Sequence, residues 1–127
     1  VPFARIDLVA GKSDDYRAAV ADVVYETMVA TLGAPKDDRF QVVSEYPASN
    51  FFISPTYYGI ARTADAIVVQ LTLSEGRTPA QKKAFYKALA DGLRERVGLR
   101  REDVFINLVE VKWENWSFGN GLAQYAE

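Results

Sequence analysis

A repeat at one fixed spacing constrains this chain more than any other feature of it. Residues 6–45 can be laid on residues 71–110 without a gap. Leu8 falls on Leu73, Gly11 on Gly76, Lys12 on Arg77, Ser13 on Thr78, Ala19 on Ala84, Gly33 on Gly98, Asp38 on Asp103, Phe40 on Phe105 and Glu45 on Glu110, each pair 65 positions apart. Each half reads as strand, short loop, helix, glycine stop and strand. A strand–helix–strand unit with a single crossover pairs its strands in parallel, and the crossover is normally right-handed. Two such units predict an α+β fold in one domain over residues 1–127: a four-stranded mixed sheet with both helices on one face. The pseudo-repeats cover about 2–46 and 66–110, with a connection over 47–65 and a tail over 111–127.

Local signals support each element. The first helix is expected over 13–32, with Ser13 as N-cap, Asp14 and Asp15 at the positive end of its dipole, and Gly33 followed by Pro35 ending it. Its buried stripe should be Tyr16, Ala19, Val20, Val23, Val24, Thr27 and Met28. The second helix is expected over 78–97, with Thr78 as N-cap, Pro79 at the first helical position, Gln81 completing a capping box and Gly98 as the stop. Phe85, Ala88, Leu89, Leu93 and Val97 give it one apolar face. Strands are expected at 3–9, 40–46, 66–74 and 103–109. The third of these is read with apolar residues on both sides, Val68, Leu71 and Leu73 against Ile67 and Val69, so the uncovered sheet face predicts an oligomer. The connection, with Phe51, Phe52, Tyr57 and Tyr58, is too aromatic for a flexible linker and should contain a short hairpin or an extended piece. A tail carrying Trp113, Trp116, Phe118 and Tyr125 should pack on something.

A formal charge of −2, with 15 basic and 17 acidic residues spread along the chain, leaves no basic stripe, so nucleic acid is not an expected partner. No apolar run approaches a membrane span, and no basic-then-apolar opening marks a targeting peptide; a soluble, cytoplasmic protein is expected. Cys and His are both absent. Disulfides and thiol nucleophiles are excluded, and zinc could be held only by carboxylates, so no metal site is expected. Without those residues, the unperturbed group that titrates near neutrality is an α-amino group, at roughly 7.7–8.0.

The opening VPFARIDLV places a proline directly before a strand. As a terminal residue, proline is a secondary amine that can accept a proton from a carbon beside a carbonyl or give one to an enolate. An apolar site and a nearby cation lower its pKa and favour the base role. The alternative is that Pro2 only begins an edge strand, where its missing N–H costs little.

The stretches PFARIDL, LGAPKDDRFQVVSE, SEGRTPAQKKAFYKAL and WSFGNGLAQY, set in this doubled β-α-β pattern, resemble the tautomerase superfamily of N-terminal proline enzymes, and within it the malonate semialdehyde decarboxylase branch. The resemblance covers nearly the whole chain. It implies that Pro2 is the catalytic proline, Asp38 its acidic partner, Arg77 the binder of a substrate carboxylate, and Trp116, Phe118 and Tyr125 an apolar wall. It also implies a homotrimer, a small carboxylic-acid substrate and no cofactor. One departure stands out: where that branch has arginines in an R-x-R pattern, this chain has Glu75-Gly76-Arg77.

Several alternatives stay open at this point. Glu75 is a solvent-facing residue, a salt-bridge partner of Arg77 or an acid that changes the substrate. Lys12, the repeat partner of Arg77, is a candidate second cation near the site. Asp38 could instead open a strand or pair with Arg39, and Arg77 could be a solvated surface residue. Tyr57, Tyr58 and Arg62 either border the pocket of a neighbouring subunit or pack their own loop. Three functions follow: a cofactor-independent tautomerase acting on a 2-oxo or enol acid, a decarboxylase-like lyase or hydratase, or a non-catalytic oligomeric binding module. The last applies if Val1 is retained, because the nitrogen of Pro2 is then an amide.

Overall fold

In the computed structural model, which describes residues 2–126, the chain runs β1 (Phe3–Val9), α1 (Asp14–Leu32), β2 (Phe40–Tyr46), β3 (Thr56–Tyr57), β4 (Ile60–Ala61), β5 (Ile67–Ser74), α2 (Pro79–Val97) and β6 (Val104–Val111). Short 3₁₀ turns lie at Ala48–Asn50, Arg101–Asp103 and Trp113–Asn115. Val1, and with it the question of its retention, lies outside the described residues. Both helices begin and end where the sequence places them. The Ser13 hydroxyl accepts the Tyr16 N–H, and Thr78 and Gln81 exchange the two hydrogen bonds of a capping box. Gly33 and Gly98 close the helices at φ 69° and 70°, a left-handed conformation in which a side chain is strained. The repeat extends to the loops, where Gly11 and Gly76 sit at φ 125° and 126°.

The sheet order is β2-β1-β5-β6. β1 pairs with β2 and β5 with β6 in parallel, as single-crossover units must, and the halves join through an antiparallel β1–β5 pairing. The antiparallel join sends equivalent loops of the two halves to opposite ends of the sheet. It also makes β1 an inner strand, so Pro2 does not begin an edge strand.

Ala4, Ile6 and Leu8 of β1 alternate inward with Ile67, Val69, Leu71 and Leu73 of β5. They meet Val20, Val24, Met28 and Leu32 of α1 and Phe85, Leu89 and Leu93 of α2 in one core. Full burial of each large side chain contributes about 1.5–3 kcal/mol. The side-chain period of two therefore corrects the reading of β5: Leu71 and Leu73 share the helix side with Ile67 and Val69, and of the five only Val68 faces away. The helices approach closely at Gly92, where an added Cβ would stand 2.9 Å from Val23 Cγ1.

The other face of the sheet is uncovered in the protomer. Phe40 and Val42 on β2 and Phe105 and Val109 on β6 are exposed along its flanks. Between them the Gln70 side-chain amide donates to Asn107 (2.6 Å) and the Tyr46 hydroxyl donates to Asp7 (2.9 Å). Of the two forms open for the connection, it takes the hairpin, β3 against β4. Among the described residues, no helix is long and apolar enough to cross a membrane.

Candidate active site at the start of the first strand

The pairing of β1 ends at Phe3, which lies beside Phe40 of β2 and Thr72 of β5. Pro2, buried, precedes that point by one residue, and Asp38 precedes Phe40 by two. β5 leaves the sheet at Ser74, immediately before Glu75 and Arg77. Topology thus brings Pro2, Asp38, Glu75 and Arg77 to one end of the sheet from three separate stretches of sequence.

Arg77 is half-buried and anchored. Its Nε donates to the Leu32 carbonyl (3.0 Å) and its Nη1 to the Ser74 carbonyl (3.3 Å), while Nη2 has no hydrogen-bond partner among the described residues. Leu32 ends α1, whose last turn holds no basic residue, so Arg77 supplies the positive charge that a helix C-terminus favours. The arrangement is not that of a freely solvated arginine. One nitrogen of a fixed guanidinium is left uncommitted among the described residues.

The tail is tied to the same place. Trp116 Nε1 donates to the hydroxyl of Ser74 (2.9 Å), a residue with no exposed surface. Trp116 stacks on Phe118 with ring centroids 5.7 Å apart, Phe118 meets Tyr125 edge-on at 4.9 Å, and Tyr125 meets Trp113 edge-on at 4.8 Å. The side chain of Gln124 closes the turn, accepting the Phe118 N–H and donating to the Gly119 carbonyl. Trp116, Phe118 and Tyr125 therefore form one aromatic cluster anchored at the end of β5. Neither Ser74 nor Trp113 was among the residues the sequence assigned to a site. Ser74 shows only as a polar residue closing a strand, and its role depends on where the tail returns.

Three open side-chain readings narrow. Lys12 lies at the opposite end of the sheet from Pro2, past Val9, where it pairs with Asp65 (2.9 Å); that hydrogen bond holds its pKa above the ordinary value. The antiparallel join of the halves is the reason, so within the protomer Lys12 is no second cation beside Pro2. Glu75 is exposed, its amide donates to the Val111 carbonyl (3.0 Å), and it makes no ion pair with Arg77. Arg39 pairs with Asp22 (2.8 Å) and donates to Gln41 rather than to its neighbour Asp38, which is half-buried in the turn before β2.

Comparing the two ends of the sheet shows what distinguishes them. Asp103, the twin of Asp38, is fully buried and accepts both the amide (2.7 Å) and the hydroxyl (2.5 Å) of Thr63. Lys12, the twin of Arg77, is held by Asp65. The position equivalent to Pro2 is Ile67, an internal residue of β5. At that end the connection supplies the partners, Thr63 and Asp65. Among the described residues, no group of three or more acidic side chains is arranged to hold a metal ion.

Comparison with known proteins places this arrangement in a family. A family profile described as "Tautomerase enzyme" matches residues 38–119, and a second with the same description matches residues 2–60. The chain belongs to the tautomerase enzyme family. Among its relatives, the probable tautomerase YusQ of Bacillus subtilis is 39% identical over the full length of both chains. The probable tautomerase YrdN of the same organism is 33% identical over 98% of this chain and 96% of its own. Among solved structures, a malonate semialdehyde decarboxylase described with decarboxylase and hydratase activities is 30% identical, with TM-score 0.91, over 97% of this chain and 95% of its own. FG41 malonate semialdehyde decarboxylase, solved inhibited by 3-bromopropiolate, is 32% identical, with TM-score 0.90, over 97% and 93%. A fused 4-OT solved as an asymmetric trimer (22% identical, TM-score 0.77, 96% of each chain) shows the shared fold alone.

Proposed function

We propose that this protein is a cofactor-independent tautomerase that interconverts keto and enol forms of a small 2-oxo carboxylic acid through a terminal Pro2. Arg77 holds the carboxylate through Nη2. The free amine of Pro2 takes the enol O–H proton and returns it at the adjacent carbon, or runs the reverse path, with Asp38 as its acidic partner. Trp116, Phe118 and Tyr125 wall the site, and the low-dielectric surroundings favour the unprotonated amine. What carries this reading is the convergence of Pro2, Asp38 and the anchored Arg77 at one end of the sheet, while the equivalent aspartate and cation of the other half are paired with Thr63 and Asp65. A homotrimer is part of the proposal, supported by the exposed apolar flanks of the open face and by a fold neighbour that assembles so.

Catalysis of this kind requires a Pro2 nitrogen freed of Val1. In protein whose intact mass begins at Pro2, Pro2→Ala should keep the fold and lower kcat/KM for tautomerisation of an aryl enolpyruvate by well over tenfold, on the order expected for a general acid–base group. An unchanged rate refutes the proposal. Retention of Val1 in an inactive protein supports the binding-module alternative. A decarboxylase-like lyase is the second reading, favoured by 30–32% identity to two malonate semialdehyde decarboxylases over nearly the whole chain. Glu75, standing where an arginine is expected, ranks it lower. Carbon dioxide release measured beside tautomerisation separates the two.

A further inference from the structure

Ser74 closes β5, an inner strand of the sheet, and has no exposed surface. It lies opposite Val111, the last residue of β6, and two residues past Thr72, which lies opposite Phe3. Its carbonyl accepts Arg77 Nη1 (3.3 Å) and its hydroxyl accepts Trp116 Nε1 (2.9 Å). The turn Trp113–Asn115 follows β6, with the Asn115 amide donating to the Lys112 carbonyl (2.9 Å), and returns Trp116 to Ser74. One buried residue thus holds both the guanidinium and the aromatic tail, beside the strand that carries Pro2.

The two bonds ask different things of position 74. Arg77 is held by a backbone carbonyl, which any residue there supplies, whereas Trp116 is held by the hydroxyl, which alanine lacks. An indole has one polar group, its N–H donor. Committed to Ser74, that group is withdrawn from any ligand, and Trp116 offers ring surface alone, stacked on Phe118 with centroids 5.7 Å apart. The tail beyond is bonded within itself, Phe118 and Gly119 to Gln124 and the rings to one another. We propose, building on the roles given above to Arg77 and the aromatic wall, that Ser74 is a positioning residue that sets the wall against the carboxylate subsite. Its carbonyl fixes the guanidinium and its hydroxyl fixes the indole, so the spacing between them is built into one residue. The site then selects 2-oxo acids that carry a flat apolar group beyond the carboxylate. Loss of the hydroxyl frees Trp116 to turn and blurs that selection, while the carboxylate subsite keeps its anchor.

Calorimetric binding of two probes, phenylpyruvate and pyruvate, tests this in protein that begins at Pro2. The parent protein should prefer phenylpyruvate. Ser74→Ala should weaken phenylpyruvate about fivefold, the scale of one hydrogen bond, and leave pyruvate within about twofold. For the aryl enolpyruvate, kcat/KM should fall by a similar factor through KM, with kcat nearly unchanged. General loosening of the fold would weaken both probes together. Trp116→Phe should reproduce the selective loss, and adding Ser74→Ala to it should cost phenylpyruvate nothing further, because the bond is already gone. A parent protein without the preference, equal losses for the two probes, no loss for either, or a second fivefold loss in the Trp116→Phe background overturns the proposal. Should Pro2→Ala stay fully active, the catalytic reading fails separately, and the binding comparison, which needs no turnover, still decides the role of Ser74.

Discussion

Replacing Arg77 by alanine removes an anchor and an anion-binding group together, and the two effects can be separated. The anchor consists of charged hydrogen bonds to the Leu32 carbonyl at 3.0 Å and to the Ser74 carbonyl at 3.3 Å. A hydrogen bond involving a charged group contributes about 1.5–3 kcal/mol. The 3.3 Å bond belongs at or below the bottom of that range, and partial exposure lets water replace part of both. The favourable charge at the α1 C-terminus adds about 0.3–1 kcal/mol. The expected loss is therefore about 2 kcal/mol, or roughly 6–10 °C in melting temperature for a domain of this size. Urea unfolding followed by tryptophan fluorescence, at matched protein concentration because assembly contributes to stability, should show a lower midpoint at unchanged slope. Under conditions where the variant is fully folded, kcat/KM should still fall more than about tenfold. Arg77→Lys should recover little of the stability, since one ammonium cannot hold two carbonyls in the fork geometry and still meet a carboxylate. An unchanged midpoint refutes the anchoring argument. A lowered midpoint with unchanged kcat/KM leaves Arg77 a structural residue and refutes its place in the site.

Two further measurements probe the same end of the sheet. A double-mutant cycle of Ser74→Ala and Trp116→Phe should give a coupling energy of about 1 kcal/mol for the bond between hydroxyl and indole; additive effects would mean that this bond does not hold the tail. Glu110 accepts a hydrogen bond from Lys82, which holds its pKa below the ordinary glutamate value. A depressed folded pKa stabilises the protein above the unfolded value, about 4.3, and that contribution is lost as pH falls through the folded value. Glu110→Gln should thus lower the melting temperature at pH 7 and match the parent protein at a pH below both values, and a difference that persists in acid would show that the effect is not electrostatic.

Much of this fold can be read from local chemistry because the determinants are local. Ser13, Thr78, Gln81, Gly33 and Gly98 act within a few residues of themselves, and each does in the structure what its type predicts. The parallel pairing inside each half follows from one crossover helix and needs no distant information. The join between halves is different in kind, since nothing near β1 or β5 specifies that they run antiparallel. That single long-range fact decides which residues share an end of the sheet. By sequence Lys12 and Arg77 are equivalent, as are Asp38 and Asp103, and the natural inference gathers the two cations. The antiparallel join separates them, and each end is then finished by a segment outside the repeat. At one end the connection brings Thr63 to Asp103 and Asp65 to Lys12 and so engages both side chains. At the other, the tail brings Trp116 to Ser74 and leaves one nitrogen of Arg77 uncommitted beside the start of β1. The resemblance to a family pointed to that end because it reads Pro2, Arg77 and the tail motif together, whereas composition and periodicity weigh both ends alike. The duplicated backbone supplies two similar frames, and the unduplicated segments finish them differently.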